Sequence, residues 1–281
     1  MEIIVARSAG FCFGVKRAIK TADRRAEGKP GPIYTLGPII HNPQVVKRLE
    51  DKKIYSKDAI GEVDDGAVII RSHGVKYDVY RQAEDKGLEV VDATCPFVKK
   101  AQDLVSELST EGYTVIVVGQ KEHPEVKGLL SYGTADNIRV VESPEELADL
   151  PRTNKIGIVA QTTLPMKKLE AVVSWCLDIA SEVKVHNTIC NATSIRQSES
   201  AELAREVELM LVLGGRNSAN TRRLAEICTS IQPRTHHIEV ASEIKPEWFE
   251  GVETVGITSG ASTPDWIIEA VVDRVGEMAS K

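Results

Sequence analysis

No apolar run in the chain approaches the ~18 residues of a membrane-spanning helix. The first residues, Met1-Glu2-Ile3-Ile4-Val5, enter a strand-like run without the basic segment of a secretion signal. Membrane association is therefore not expected. There is no Walker A loop and no Gly-x-Gly-x-x-Gly, so a nucleotide is not the natural ligand. The five cysteines are scattered and odd in number, which argues against a disulfide framework and favours reduced thiols in the cytoplasm. None is paired at short spacing with another ligand residue, as structural zinc sites usually require. A net charge of −6 argues against general nucleic-acid binding while permitting a local cationic pocket for an anion.

What is present is an ordinary globular composition, with 42% apolar and 27% charged residues in 281, enough for two or three domains. Short apolar runs alternate with amphipathic helical stretches, the pattern of α/β units with mostly parallel sheets. Strands are expected at 3–6, 33–36, 68–71, 89–91, 114–118, 138–141, 156–160, 183–186, 209–213, 237–240 and 254–258. A last helix is expected from 264 to about 278.

Three cysteines, Cys12, Cys95 and Cys190, each lie where an apolar run gives way to a helical pattern, at separations of 83 and 95 residues. One structural unit used three times accounts for that recurrence. It divides the chain into α/β domains at 14–96, 97–192 and 193–281, with the strand in 1–13 joining the last sheet or bridging between units. Ligands in open α/β sheets bind at the carboxyl ends of strands, so the three thiols could converge. Cubane clusters usually take four thiolates, and three would leave one iron open. Cys176 and Cys228, in apolar helical contexts, read as small core residues. A zinc site of cysteine and histidine competes with the cluster at this stage.

Several strand ends deliver small polar residues to a helix start: His41-Asn42-Pro43, Ser72-His73-Gly74, His123-Pro124-Glu125, Gln161-Thr162-Thr163, Ser218-Ala219-Asn220 and Ser262-Thr263-Pro264. A single such loop is usually a helix cap. Together, with exposed N–H groups and helix dipoles behind them, they suggest a phosphate or diphosphate pocket. His186, His236 and His237 fall within or beside strands and read as structural or exposed. The pair Gly214-Gly215 could serve as a hinge.

Gly10-Phe11-Cys12-Phe13-Gly14-Val15, Arg71-Ser72-His73-Gly74, Asp92-Ala93-Thr94-Cys95-Pro96, Glu122-His123-Pro124-Glu125, Gln161-Thr162-Thr163 and Ser262-Thr263-Pro264-Asp265-Trp266 occur in order from residue 3 to about 272. In this the chain resembles the 4-hydroxy-3-methylbut-2-enyl diphosphate reductase family of the non-mevalonate isoprenoid pathway. The resemblance implies three α/β domains around a central cavity and a 4Fe–4S cluster on Cys12, Cys95 and Cys190. It implies a diphosphate held by His41, His73, His123, Thr162, Ser218, Asn220 and Ser262, with Glu125 as the acid. It further implies electrons from ferredoxin or flavodoxin, and isopentenyl and dimethylallyl diphosphate as products. Many relatives carry two serines before the asparagine, where this chain has Ser218-Ala219-Asn220. A zinc-dependent hydrolase of a phosphorylated compound and a non-catalytic phosphate-binding protein are the rival readings.

Overall fold

The computed structural model describes residues 1–28 and 30–279. Its strands are β1 (Glu2–Val5), β2 (Ile33–Leu36), β3 (Ile54–Lys57), β4 (Ala67–Ile70), β5 (Glu89–Asp92), β6 (Thr114–Val118), β7 (Ile138–Val141), β8 (Thr153–Ala160), β9 (Ala180–His186), β10 (Leu209–Leu213), β11 (Thr235–Ile238) and β12 (Thr254–Ser259). Its α-helices are α1 (Phe13–Gly28), α2 (Pro43–Asp51), α3 (Tyr77–Asp85), α4 (Pro96–Thr110), α5 (Pro124–Leu130), α6 (Met166–Ile179), α7 (Asn191–Glu206), α8 (Ala219–Ile231) and α9 (Asp265–Ala279). The strands form three four-stranded sheets, ordered β3-β2-β4-β5, β7-β6-β8-β9 and β1-β12-β10-β11. Every strand pairing is parallel.

The three sheets have one topology. In the first two, a strand is followed by its outer neighbour, and the chain then crosses to the other side for two more. The third sheet repeats this order with β10, β11 and β12, but its fourth place is taken by β1, paired Glu2 to Thr254 through Val5 to Ile257. The third sheet is thus a circular permutant of the other two. The first strand, β1, thus pairs within the last sheet.

Contacts group the chain into two compact units. One contains the third sheet and is formed by Met1–Lys16, Ile40–Arg48 and the chain from Asn191 onward. The other contains the first two sheets and is formed by Arg17–Ile39 and Leu49–Cys190. In the second unit β6 shows why such sheets are stable. Its run Thr-Val-Ile-Val-Val is β-branched throughout, suited to a pleated surface covered on both faces. Val115 and Val117 pack with Ala101, Val105 and Leu108 of α4 and with Val126 and Leu129 of α5. Ile116 and Val118 point the other way, to Leu169, Val172 and Cys176 of α6. Each fully buried side chain of this size contributes about 1.5–3 kcal/mol. Cys176 and Cys228 are wholly buried, and burial pushes their thiols up to about 11 and about 12.

The differences from sequence expectation lie at sheet edges. β3 was not foreseen: it is four residues long, half exposed, and shows no alternation. β8 and β9 begin three residues earlier than their apolar runs, where Thr153 and Lys155 pair with Ala180 and Glu182 on an exposed extension. β11 lies two residues earlier than expected because its polar face is held locally. His236 stacks on Trp248 with ring centroids 3.8 Å apart, and the His237 Nε2 lies 2.8 Å from the Gly214 carbonyl oxygen.

Candidate active site

In a sheet of this strand order, the crevice lies where the order reverses, outside the ends of the second and third strands in each row. Those loops follow β2 and β4, β6 and β8, and β10 and β12. They hold His41 and His73, His123 and Thr162, and Ser218 and Ser262, with Asn220 in the first turn of α8. All seven expected diphosphate residues therefore sit at topological switch points. The three cysteines occupy a different shared position, beyond the carboxyl end of the edge strands β1, β5 and β9.

The equivalence of the cysteines extends to their hydrogen bonds. In each case the backbone N–H donates to a carbonyl in the loop of the adjacent strand. Cys12 donates to Ala261 at 3.1 Å, Cys95 to Ser72 at 2.9 Å and Cys190 to Thr162 at 2.9 Å. Each then opens a helix: α1, α4 and α7. Pro96 fits the first turn of α4 because its missing N–H would have had no helical partner. The Val15 N–H lies 3.5 Å from the Cys12 sulfur, so the first turn of α1 faces that sulfur. All three are partly exposed, unlike Cys176 and Cys228.

In the unit of the first two sheets, Pro124 starts α5 and His123 caps it, its Nδ1 accepting the Glu125 N–H at 3.2 Å. That turn directs Glu125 inward, where it is 1% exposed. Its carboxylate accepts the Thr162 N–H at 2.6 Å and the Thr162 hydroxyl at 2.7 Å. Burial pushes this carboxyl up to about 7, against the lowering effect of the two Thr162 bonds. It is poised to hold or release a proton near neutrality, as a general acid must. The rings of His73 and His123 meet edge to face with centroids 5.7 Å apart. Gln161 fixes the backbone between these loops, its Oε1 accepting the Gln120 N–H at 2.9 Å.

In the unit of the third sheet, Ser218 caps α8, its Oγ accepting the Thr221 N–H at 3.3 Å. The Ser262 hydroxyl donates to the His41 carbonyl at 3.3 Å. Asn220 is 6% exposed, and neither its Nδ2 nor its Oδ1 has a hydrogen-bond partner. Gly214, at φ +134°, and Gly215 are close-packed: a Cβ would come within 2.5 Å of the Thr263 Oγ1 at the first and 2.6 Å of the His41 carbonyl at the second. These glycines permit close backbone approach, and a hinge finds no support here. Two anchors escaped sequence reading. Glu199 of α7 accepts the N–H groups of Arg7 and Ser8 at 2.6 and 2.9 Å, and buried Arg196, one helical turn earlier, donates to the Gly10 carbonyl. Their spacing of three on one helix face was the available signal.

Among the described residues, no three His, Cys, Asp or Glu side chains are grouped closely enough to hold a metal ion. No helix is long and apolar enough to cross a membrane, again among the described residues. The family model for LytB protein matches residues 3–276. This chain belongs to the LytB family. A protein of Pelobacter propionicus, named 4-hydroxy-3-methylbut-2-enyl diphosphate reductase, is 58% identical over 281 residues, 100% of both chains. One of Geobacter metallireducens with the same name is 56% identical, over 100% of this chain and 99% of its own. A solved structure of (E)-4-hydroxy-3-methyl-but-2-enyl diphosphate reductase, described as the terminal enzyme of the non-mevalonate pathway, is 48% identical. It superposes with a TM-score of 0.76, covering 99% of this chain and 100% of that one. The Plasmodium falciparum E-1-hydroxy-2-methyl-but-2-enyl-4-diphosphate reductase is 27% identical with a TM-score of 0.90, over 97% of this LytB chain and 87% of its own.

Proposed function

We propose that this LytB chain reduces 4-hydroxy-3-methylbut-2-enyl diphosphate to isopentenyl and dimethylallyl diphosphate, with Cys12, Cys95 and Cys190 holding a 4Fe–4S cluster. The observation that carries this reading is the run of bonds from Glu125 through Thr162 to the Cys190 backbone. It ties a buried acid, a hydroxyl at a switch point and a soft ligand into one rigid segment. The donor set suits a cluster: three partly exposed thiols at helix N-termini, with the other two cysteines sealed in cores. When bound, such a cluster supplies electrons and a Lewis-acidic iron for the substrate's hydroxyl oxygen.

The overall change consumes two electrons and two protons and releases one water. A C–O bond breaks and a C–H bond forms at one or the other end of the allyl system. Glu125 delivers the proton that lets hydroxide leave as water. Thr162 fixes both carboxylate oxygens and so sets the direction of that delivery. His41, His73, His123, Thr162, Ser218, Asn220 and Ser262 grip the diphosphate, whose charge suits histidines and helix N-termini. The proposal includes ferredoxin or flavodoxin as electron donor, a cytoplasmic location, and α/β domains at 14–96, 97–192 and 193–281 joined by the strand of 1–13.

Iron and sulfide counts after anaerobic purification test the ligand set. Cys12→Ser, Cys95→Ser and Cys190→Ser are each expected to lose most of the iron and all reduction. Cys176→Ala and Cys228→Ala should keep both and cost about 1 kcal/mol of stability. Full iron retention in any of the first three removes that residue from the ligand set.

A further inference from the structure

Arg71 has no part in the chemistry above, yet its setting is unusual. It is the first residue after β4 and immediately precedes Ser72 and His73. Its guanidinium is half-buried, and its Nε donates a long bond of 3.4 Å to the Gly74 carbonyl. Among the described residues, no carboxylate lies within ion-pair distance of it. Burial alone lowers its pKa, without a carboxylate to oppose the effect. Gly37, at φ +70°, makes room for the group, since a Cβ there would collide with Nη1. A guanidinium does not shed its proton to escape burial. A half-buried guanidinium with no carboxylate beside it keeps donors available for an anionic partner.

Arg71 lines a cavity of about 450 Å³ in the unit of the first two sheets. Leu36, Ile60 and Val79 give it an apolar wall, and Lys76 and Lys127 add cations. Three acids also line it. Glu122 is paired with Lys127 at 2.6 Å, Asp78 accepts from the Gln82 amide at 2.9 Å, and Asp58 is exposed. The lining thus carries three cations and three acids, but among the described residues neither Arg71 nor Lys76 has a carboxylate within ion-pair distance, so both cations are open to a guest. These two cations share the cavity lining with the apolar wall.

We propose that this cavity is a second ligand site, for a small amphiphilic anion with a phosphate or diphosphate head and a short hydrocarbon body. The head meets Arg71 and Lys76, and the body lies along Leu36, Ile60 and Val79. Such a ligand reaches the back of both histidine loops. Arg71 leads directly into His73, and Pro124, on the same cavity wall, follows His123. Occupancy there alters the setting of the two imidazoles, which makes the site regulatory. Binding is read from the cavity itself, and only the effect on turnover rests on the proposed function.

The test is equilibrium dialysis of isopentyl diphosphate, a saturated and unreactive probe, against the anaerobically purified holoprotein. Arg71→Gln removes the charge, and Val79→Trp fills the cavity from a partly exposed wall in case the first variant fails to fold. The wild type is expected to bind one equivalent more than either folded variant. Inorganic diphosphate should compete for that equivalent at least tenfold less well, because it lacks the body. Equal stoichiometry in the wild type and the folded variants overturns the proposal, as does inorganic diphosphate competing equally well. The outcome is separable from that of the reductase reading. An extra equivalent in a protein without reductase activity leaves the cavity assignment standing, and full activity with no extra equivalent removes it alone.

Discussion

The switch-point loops of the second and third sheets occupy the same topological position and are built in opposite ways. After β6 and β8, every polar atom of the acid is satisfied within the chain: Glu125 is buried and both its oxygens are fixed by Thr162. After β10 and β12, Asn220 is equally buried, but both ends of its amide lack partners. Under the proposed role of Glu125, the first arrangement would fix the direction of a proton before anything binds. The second leaves hydrogen-bonding capacity for a guest, at the cost of desolvating a polar group with nothing in return.

The largest expected effect breaks the first side of that contrast. Glu125→Gln keeps size and one hydrogen-bonding face but has no acidic proton, and turnover with an artificial reductant should fall about 10²-fold or more. Substrate affinity and iron content should persist. Near-normal turnover would make Glu125 only a structural part of the α5 turn.

Substituting Asn220→Ala probes the other side. Substrate binding should weaken by roughly 1.5–3 kcal/mol, the range for hydrogen bonds to charged groups. Stability of the ligand-free protein in urea should hold or rise, since an unsatisfied buried amide is removed. A loss of stability without a loss of affinity would show that Asn220 serves the fold.

Thr162→Val should have a smaller effect than either. Its hydroxyl bond to Glu125 is lost while the backbone bond remains, and a fall of roughly 1 kcal/mol in transition-state stabilisation is expected. Because that bond lowers the Glu125 pKa, removing it should shift the alkaline limb of the rate profile to higher pH. In the wild type that limb should fall near the Glu125 value of about 7. The stability linkage has the same origin. A carboxyl whose pKa rises from 4.5 to about 7 on folding binds its proton more tightly in the folded state. Stability is therefore highest at low pH and is lost as pH climbs from about 4.5 through about 7. Urea midpoints across that window should slope for the wild type and flatten for Glu125→Gln.

The smallest effect sharpens the third-sheet loop. Ala219 occupies the first turn of α8, where a backbone N–H suffices, so Ala219→Ser should change substrate affinity by less than about 1 kcal/mol.

How much of this could be read beforehand depends on which forces leave a mark in one sequence window. Buried central strands such as β6 and β10 declare themselves, because both faces need β-branched or aliphatic side chains. The helix starts at Asn42-Pro43 and His123-Pro124 declare themselves through capping chemistry. The edge strand β3 and the outer ends of β8 and β9 do not, since they are held by backbone pairing along exposed residues. The residues proposed for the site stood out through their order along the chain. The grip of Thr162 on Glu125 was not, because 37 residues separate them and neither position looks unusual alone. Arg71 was visible only as part of a motif; its burial without a carboxylate depends on Gly37, in another loop.

The permuted third sheet has a consequence for how the chain comes into being. On the ribosome, β2 to β5 and then β6 to β9 emerge as complete sets, so the first two sheets can close while synthesis continues. The strand β1 emerges before all of them but finds its partner only when Thr254 arrives, 252 residues after Glu2. At roughly 5–20 residues per second, that wait lasts from about a dozen seconds to most of a minute. Through this interval the segment bearing Cys12 has no sheet to join, while the segments bearing Cys95 and Cys190 can already be in place. β12 is the last strand made, so of the three cysteine segments the one bearing Cys12 is the last whose sheet partner becomes available.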